Sequence, residues 1–411
     1  MQIAIVGGGA AGFFAAIELK KCSPQSHVVI YERAKRCLAK VEISGGGRCN
    51  CTNSFARVVD LKSVYPRGHK LMKRLFNVFD HTDAYEWFEN HGVRLVTQDD
   101  ECVFPASQDS HSITLCLQNE ARRLGVKVCT LHTLKELQHH PEQPQPFLLQ
   151  FENRPPVHAD LVLLTVGGQP RADGLLKQLE LLGHPIAAPV PSLFTFTIAH
   201  APLTELMGVV VERAIVSIPG TKFRVQDALL LTHWGMSGPA ALKLSSLAAC
   251  HLATSDYVSD LLVNWVGEVN VETVLNELHV VAGTYPRRQL SSIHPFGLQS
   301  RLWNYLLQRS GLAPEKPWSE VGKKGFNKLV NTLTADTYRI AGRYPHREEF
   351  VTCGGVALSA VDSNTLESKE LPGLYFAGEL LDIDAITGGF NLQAAWTTGV
   401  VAARSMSARI Q

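Results

Sequence analysis

The run QIAIVGGGAAGFFAAIELKKC, residues 2–22, constrains the fold more than any other part of the chain. Strand formers lead straight into glycines at 7, 8, 9 and 12, and a helix-forming stretch follows. Glycine loses the most backbone freedom on folding, so four in six positions need a compensating use. Gly7, Gly9 and Gly12 satisfy GxGxxG in its required place, between a strand and a helix. The first glycine permits a tight turn, the second lets a diphosphate approach the backbone, and the third lets helix and strand pack closely. The opening of the helix, with Ala10 and Ala11, then offers N–H groups to phosphate oxygens. The next strand, HVVIYE, ends on Glu32, twenty residues after Gly12, where an acid accepts hydrogen bonds from an adenosine ribose hydroxyl. Arg33, beside it, is counted with these contacts.

NAD and FAD share this half of a site. The C-terminal stretch GLYFAGELLDIDAITGGFNLQAAW separates them, because it sets a strand, Gly378 and Glu379, an acid (Asp382), a glycine pair (Gly388, Gly389) and a helix start in succession. A cofactor with a ribityl chain needs a second contact, and Asp382 is placed to accept from a ribityl hydroxyl. The helix opening at Phe390 and Asn391 aims its positive end at the pyrimidine edge of a flavin. FAD is therefore the expected resident cofactor.

A chain of 411 residues is long for one core. The strand, helix and strand periods at the N-terminus continue through helical spacing over 68–91 and HSITLCLQNEARRLG to the buried strand DLVLLTVGG. Short β-rich segments (FTFTI, GVVVERAIVSI, ALLLTHW) follow, then a mostly helical stretch from 271 to 345, and strand-and-glycine character returns at Phe350. The expected organisation is α/β and discontinuous: FAD domain, first part, 1–188; inserted β-rich domain, 189–268; inserted helical domain, 269–346; FAD domain, second part, 347–411.

Apolar content of 45% and charged content of 19% describe an ordinary globular chain, and the net charge of +1 argues neither for nor against a polyanionic partner. Nine scattered cysteines without CxxC, and no targeting segment, point to reduced thiols in the cytoplasm. Cys49 and Cys51 form a lone CxC that lacks the other ligands of a structural zinc site, so no metal is expected. No close cysteine pair supports a disulfide reductase. No apolar run is long enough to span a bilayer.

SGGGRCNCTN (44–53), LTVGGQPRADG (164–174), THWGMSGPA (232–240) and TCGGVALSAVDSNTLESKELPGLYFAGELLDIDAITGGFN resemble the bacterial flavoproteins known as YhiN-like or BaiN-like NAD(P)/FAD-dependent oxidoreductases, over essentially the whole chain. The resemblance implies a glutathione-reductase-like FAD-binding Rossmann domain with inserted β-barrel-like and small helical units. It also implies reduction of a C=C conjugated to a carbonyl, either in a steroid-like bile-acid enone or in a uridine of 23S ribosomal RNA, giving dihydrouridine. Where relatives carry an aromatic residue and then GGYN, this chain has Ile386 and GGFN, so any role of a phenolic hydroxyl at Phe390 is in doubt.

Such a reduction takes a hydride from flavin N5 to the β carbon, an oxyanion forms on the carbonyl, and a proton reaches the α carbon. Lys40, Arg48, Asn50 and Asn53 are the expected donors around the flavin. Ser44, Gly45, Gly46, Gly47 and Gly167 are expected to bring backbone close to the cofactor. His233 stands as either a proton donor or a capped turn residue, and Cys353 as a buried thiol near the second cofactor segment. No second GxGxxG follows an interior strand, so NAD(P)H is expected as a transient reductant. From Arg33 to Arg74 there are eleven Lys or Arg against Glu42 and Asp60. That local charge tilts the expected partner from a small-molecule enone toward ribosomal RNA.

Overall fold

The computed structural model describes residues 1–169, 171–199, 201–344 and 351–410. The chain forms two compact units, one from Met1–Ser192 with Arg347–Gln411 and one from Leu193–His346. The first unit is therefore discontinuous. The boundary expected at 346/347 lies outside the described residues.

The first unit is built on a parallel sheet. Its strands are β1 (Gln2–Val6), β2 (His27–Tyr31), β3 (Lys127–Cys129), β4 (Leu161–Leu164) and β5 (Leu374–Phe376), in the spatial order β5-β4-β1-β2-β3. The chain runs outward from β1 through β2 to β3, then returns to β1's other side as β4. That reversal leaves a crevice at the carboxyl ends of β1 and β4, the place where open α/β sheets take their ligands. β1, β2 and β4 are almost wholly buried, which explains why they read as continuous apolar runs without alternation.

Two helices from opposite ends of the chain pack beside each other on this sheet: α1 (Ala10–Cys22) and α2 (Phe390–Ile410). Gly399 permits the close approach, since a Cβ there would stand 2.8 Å from the Ala11 carbonyl oxygen. Phe14 of α1 is enclosed by Phe79, Trp87, Phe88 and Trp396, with ring centroids at 4.5–6.0 Å. Burying one such ring is worth about 1.5–3 kcal/mol, so this aromatic box is a principal tie between the two ends of the chain.

The helical spacing over 68–91 resolves into two helices, His69–Leu75 and His81–Asn90. Asp80 causes the break. Its carboxylate accepts from the Thr82 and Asp83 amides while Asp83 reaches back to the Asp80 amide, and this capping box starts a new helix.

In the second unit, strands Phe196–Ile198, Val210–Ser217, Arg224–Thr232, Gly235–Ser237, Ser259–Asn264 and Asp336–Arg343 close a barrel. Helices Val271–Thr284, Ser300–Arg309 and Lys323–Thr334 lie in the connection before the last of these strands. The β-rich and helical stretches, expected as separate insertions, thus belong to one unit. The reason is Asp336–Arg343, which pairs on both sides in the barrel. Asp336 fastens the helices to it, accepting from Arg309 Nε at 2.6 Å, the Tyr338 hydroxyl at 2.6 Å and the Trp265 indole at 3.1 Å. No helix among the described residues is long and apolar enough to cross a membrane.

Candidate functional site

The three motif glycines after β1 occupy two different environments. Gly7 has φ +117°, and a Cβ on it would lie 2.3 Å from the Thr165 carbonyl oxygen beyond β4. Gly12 is as tightly closed, with Gly7's carbonyl oxygen 2.0 Å from where its Cβ would be. Gly9 is the exception: a Cβ there meets nothing within 4 Å. Gly9 also caps α1 without a side-chain hydrogen bond, so no capping side chain covers the helix opening at Ala10 and Ala11. Two glycines that cannot be larger thus flank one whose side is open, a shape that fits a diphosphate.

Glu32 ends β2 at the same rim. Its carboxylate accepts from the Gly8 amide and the Ala34 amide, each at 2.7 Å, and so pins the glycine turn to β2. A carboxylate has acceptor sites beyond two, which leaves capacity for a ribose hydroxyl. Arg33 is exposed beside it. Cys37 packs on the turn, its thiol pushed up to about 11 by burial and then by Glu32.

Lys40 and Glu379 meet at this edge: Lys40 Nζ donates to Glu379 Oε2 at 2.8 Å. Glu379 follows Gly378 immediately after β5, and its Oε1 accepts from the Thr352 amide at 2.8 Å. Gly167, after β4, faces Glu379 at 3.8 Å from its Cβ direction. Residues contributed after β1, β2, β4 and β5 thus gather along the carboxyl edge of one sheet.

The segment Ser44–Gly47 leaves helical geometry at Ser44, Gly45 and Gly46, with Gly46 and Gly47 facing open space. Arg48 stacks on Phe104 at 4.3 Å and donates to the Gly45 carbonyl at 3.2 Å. Cys49 and Cys51 are fully buried; burial pushes Cys49 up to about 12 and raises Cys51 well above a free thiol. Cys353 is buried as well.

Asn50 and Asn53, expected as donors around the flavin, both reach the second glycine turn. With its amide oriented to satisfy both ends, Asn50 donates to the Thr52 carbonyl at 3.0 Å and accepts from the Gly389 amide at 3.2 Å. Asn53 donates to the Gly388 carbonyl at 3.0 Å and accepts from the Phe55 amide at 2.9 Å. Each amide thus has one end on the second glycine turn. Asn391 is likewise engaged, with both ends of its amide on the Ala385 backbone at 2.9 and 3.0 Å. Phe390 is buried edge-on to Phe55 at 5.1 Å, and Tyr65 donates its hydroxyl to the Phe390 carbonyl at 2.8 Å.

Asp382 is half-buried, and burial raises its carboxyl above the usual range against the opposing pull of Arg67. Next to it Asp384 is fully buried in a two-pronged ion pair with Arg67 and accepts from the Ser192 hydroxyl at 3.1 Å. The sequence carried no signal for this pair, whose members lie 317 positions apart. Another unforeseen element is a buried polar chain in α2: Thr52 donates to Gln393 at 2.6 Å, and Gln393 to Thr397 at 3.1 Å. His233 belongs to the second unit, exposed in the turn between strands Arg224–Thr232 and Gly235–Ser237, with its ring edge-on to Trp234 at 4.5 Å.

The family model described as HI0933-like protein Rossmann domain matches residues 1–405. Ribosomal RNA dihydrouridine synthase of Escherichia coli (strain K12) is 29% identical over 415 residues, covering 98% of this chain and 97% of the relative. The 3-dehydro-bile acid delta(4,6)-reductase of Clostridium scindens is 26% identical over 422 residues, covering 99% of each. Among solved structures, 3-ketosteroid-delta4-(5alpha)-dehydrogenase from Rhodococcus jostii RHA1 aligns with a TM-score of 0.51 at 14% identity, over 98% of this chain and 96% of that one, a likeness of fold. With its Rossmann sheet, its open glycine cradle and a family match over nearly its full length, the chain belongs to the HI0933-like Rossmann-domain family of FAD-dependent oxidoreductases.

Proposed function

We propose that this protein reduces a C=C conjugated to a carbonyl, with FAD resident in the first unit and NAD(P)H as the transient reductant, and that the bond is that of a uridine in 23S ribosomal RNA. The observation that carries the cofactor assignment is the open direction at Gly9 between two closed glycines, at an uncapped helix start. When bound, FAD supplies the hydride. The open amides of α1 hold its diphosphate, Glu32 accepts from its ribose, and Asp382 accepts from its ribityl chain.

A uracil ring and a conjugated enone pose the same problem, because negative charge grows on a carbonyl oxygen as the double bond is reduced. The relatives named above as a dihydrouridine synthase and a delta(4,6)-reductase are both C=C reductases by name, which supports the reaction class. Lys40 and Arg48 are the cations assigned to that oxygen. Asn50 and Asn53 are positioning residues that hold the Gly388–Gly389 turn.

The test is the ribosomal RNA of a strain lacking the gene, assayed for dihydrouridine by mass spectrometry and reverse transcription, with and without restoration of the gene. Loss of one dihydrouridine and its return supports the reading. Unchanged dihydrouridine removes RNA as the substrate and leaves a small enone, to be assayed with a steroid enone and NAD(P)H. A purified protein that is colourless and refuses added FAD removes the flavin reading altogether.

A further inference from the structure

We propose that the outward face of the helix His69–Leu75, extended by Lys62, docks the phosphate backbone of an RNA substrate. The inference rests on the reading that the reduced base is a uridine within RNA. From Leu61 to Phe79 the chain holds five Lys or Arg and no Asp or Glu. Leu71, Met72 and Leu75 are buried, which turns Lys70, Lys73 and Arg74 to solvent at i, i+3 and i+4, on one face. Lys62 is exposed on the short turn Leu61–Ser63, which packs against this helix.

The cations of the wider basic segment divide into two sets. Lys40, Arg57 and Arg67 are neutralised by Glu379, Glu101 and Asp384. Among the described residues no ion pair engages Lys62, Lys70 or Lys73; of the acids flanking them in sequence, Asp60 caps the Leu61–Ser63 turn through the Lys62 amide at 2.9 Å and Asp80 caps the helix His81–Asn90. An unneutralised row of this kind attracts a polyanion and releases its counterions.

The face is anchored to the second cofactor segment. Gly68 abuts Ile383, where a Cβ would come within 2.7 Å of the side chain, and the Ile386 amide donates to the Val64 carbonyl at 2.9 Å. Arg67, two residues before the helix, holds Asp384. A backbone docked on Lys70 and Lys73 is thereby tied to the same rigid segment that carries the Gly388–Gly389 turn. Val59 and Val78 are exposed at the two ends of this face, but no large apolar side chain between them is, so the face lacks the continuous apolar side with which an amphipathic helix enters a bilayer.

The experiment uses the full-length, FAD-loaded protein and its Lys62→Gln/Lys70→Gln/Lys73→Gln variant. Binding of transcribed 23S ribosomal RNA is measured from 50 to 300 mM salt, beside FAD content and NAD(P)H-driven reduction of a steroid enone. The expected result is roughly a tenfold or greater loss of RNA affinity and a salt slope shallower by about 2, near 0.7–0.9 for each charge removed. FAD content and enone reduction stay at the unaltered protein's level. RNA affinity and slope equal to those of the unaltered protein overturn the docking face, while uridine in RNA left unreduced by the unaltered protein overturns the substrate reading instead. Binding to phosphatidylglycerol vesicles that depends on the three lysines, without RNA binding, also overturns the proposal.

Discussion

The side-chain amide of Asn53 donates to the carbonyl oxygen of Gly388 at 3.0 Å, and its own oxygen takes the Phe55 amide at 2.9 Å. One side chain thereby ties the segment after the first glycine loop to the turn that opens α2. Asn53→Ala removes both bonds and strands polar groups in a largely enclosed place, at a cost of about 1–3 kcal/mol. The expected outcome is a melting temperature lower by roughly 2–12 °C, given the size of the unit, together with reduced flavin absorbance per protein. A variant with unaltered flavin content would show that Asn50 alone holds the turn.

The glycine cradle separates into two predictions. Gly9→Ala adds a methyl to open space at φ −93°, which alanine adopts, so the apoprotein is expected to keep its stability within about 1 kcal/mol while FAD affinity falls. Gly12→Ala drives a methyl into the Gly7 carbonyl oxygen, 2.0 Å away, and is expected to cost about 1–3 kcal/mol or more even without cofactor. Thermal melts of the apoproteins and FAD titrations distinguish the two. Full FAD affinity in Gly9→Ala contradicts placement of the diphosphate there.

These two glycines and Glu32 were legible in the sequence because their spacing is local: strand, turn, helix and acid fall within thirty-two residues. The Gly388–Gly389 turn before α2 was legible for the same reason. The partners that hold those pieces were not. Asn50 and Asn53 read as donors around the flavin, and the bonds their amides make to a turn more than three hundred positions away follow from no local pattern. Arg67 with Asp384, and Thr52 with Gln393, are of the same kind. The barrel strand Asp336–Arg343 did carry a signal. Its burial alternates along DTYRIAGR with period two, but the helices before it masked the change of period.

His184 gives a dependence on pH. It is buried, with Nδ1 at 3.0 Å from the Leu179 carbonyl and Nε2 at 2.7 Å from the Ser368 hydroxyl, an arrangement met by the neutral ring donating through Nδ1 and accepting at Nε2. Burial lowers its pKa below the usual 6.5. The unfolded chain then binds the proton more readily than the folded one, so this histidine's contribution is fully present above about 6.5 and is lost as pH falls below it toward the lowered folded value. His184→Gln is expected to flatten the fall in melting temperature between pH 7 and pH 5. An identical pH profile in the variant would assign acid sensitivity to other groups, among them His81, which burial also lowers.

Lys40 and Glu379 form an ion pair at 2.8 Å, but the lysine side chain is 56% exposed, so the pair is worth at most about 1 kcal/mol to the fold. Glu379 does more, because its other oxygen accepts from the Thr352 amide. Glu379→Ala is therefore expected to lower stability by about 1–3 kcal/mol, and Lys40→Ala to leave it within about 1 kcal/mol. If Lys40 stabilises charge growing on the substrate carbonyl, its loss removes an interaction made in the transition state, and kcat falls roughly a hundredfold with little change in KM. Steady-state reduction of a steroid enone, read beside a melting curve, checks this. Unchanged kcat in Lys40→Ala assigns the carbonyl to Arg48, whose guanidinium stacked on Phe104 is the other cation of the first glycine loop.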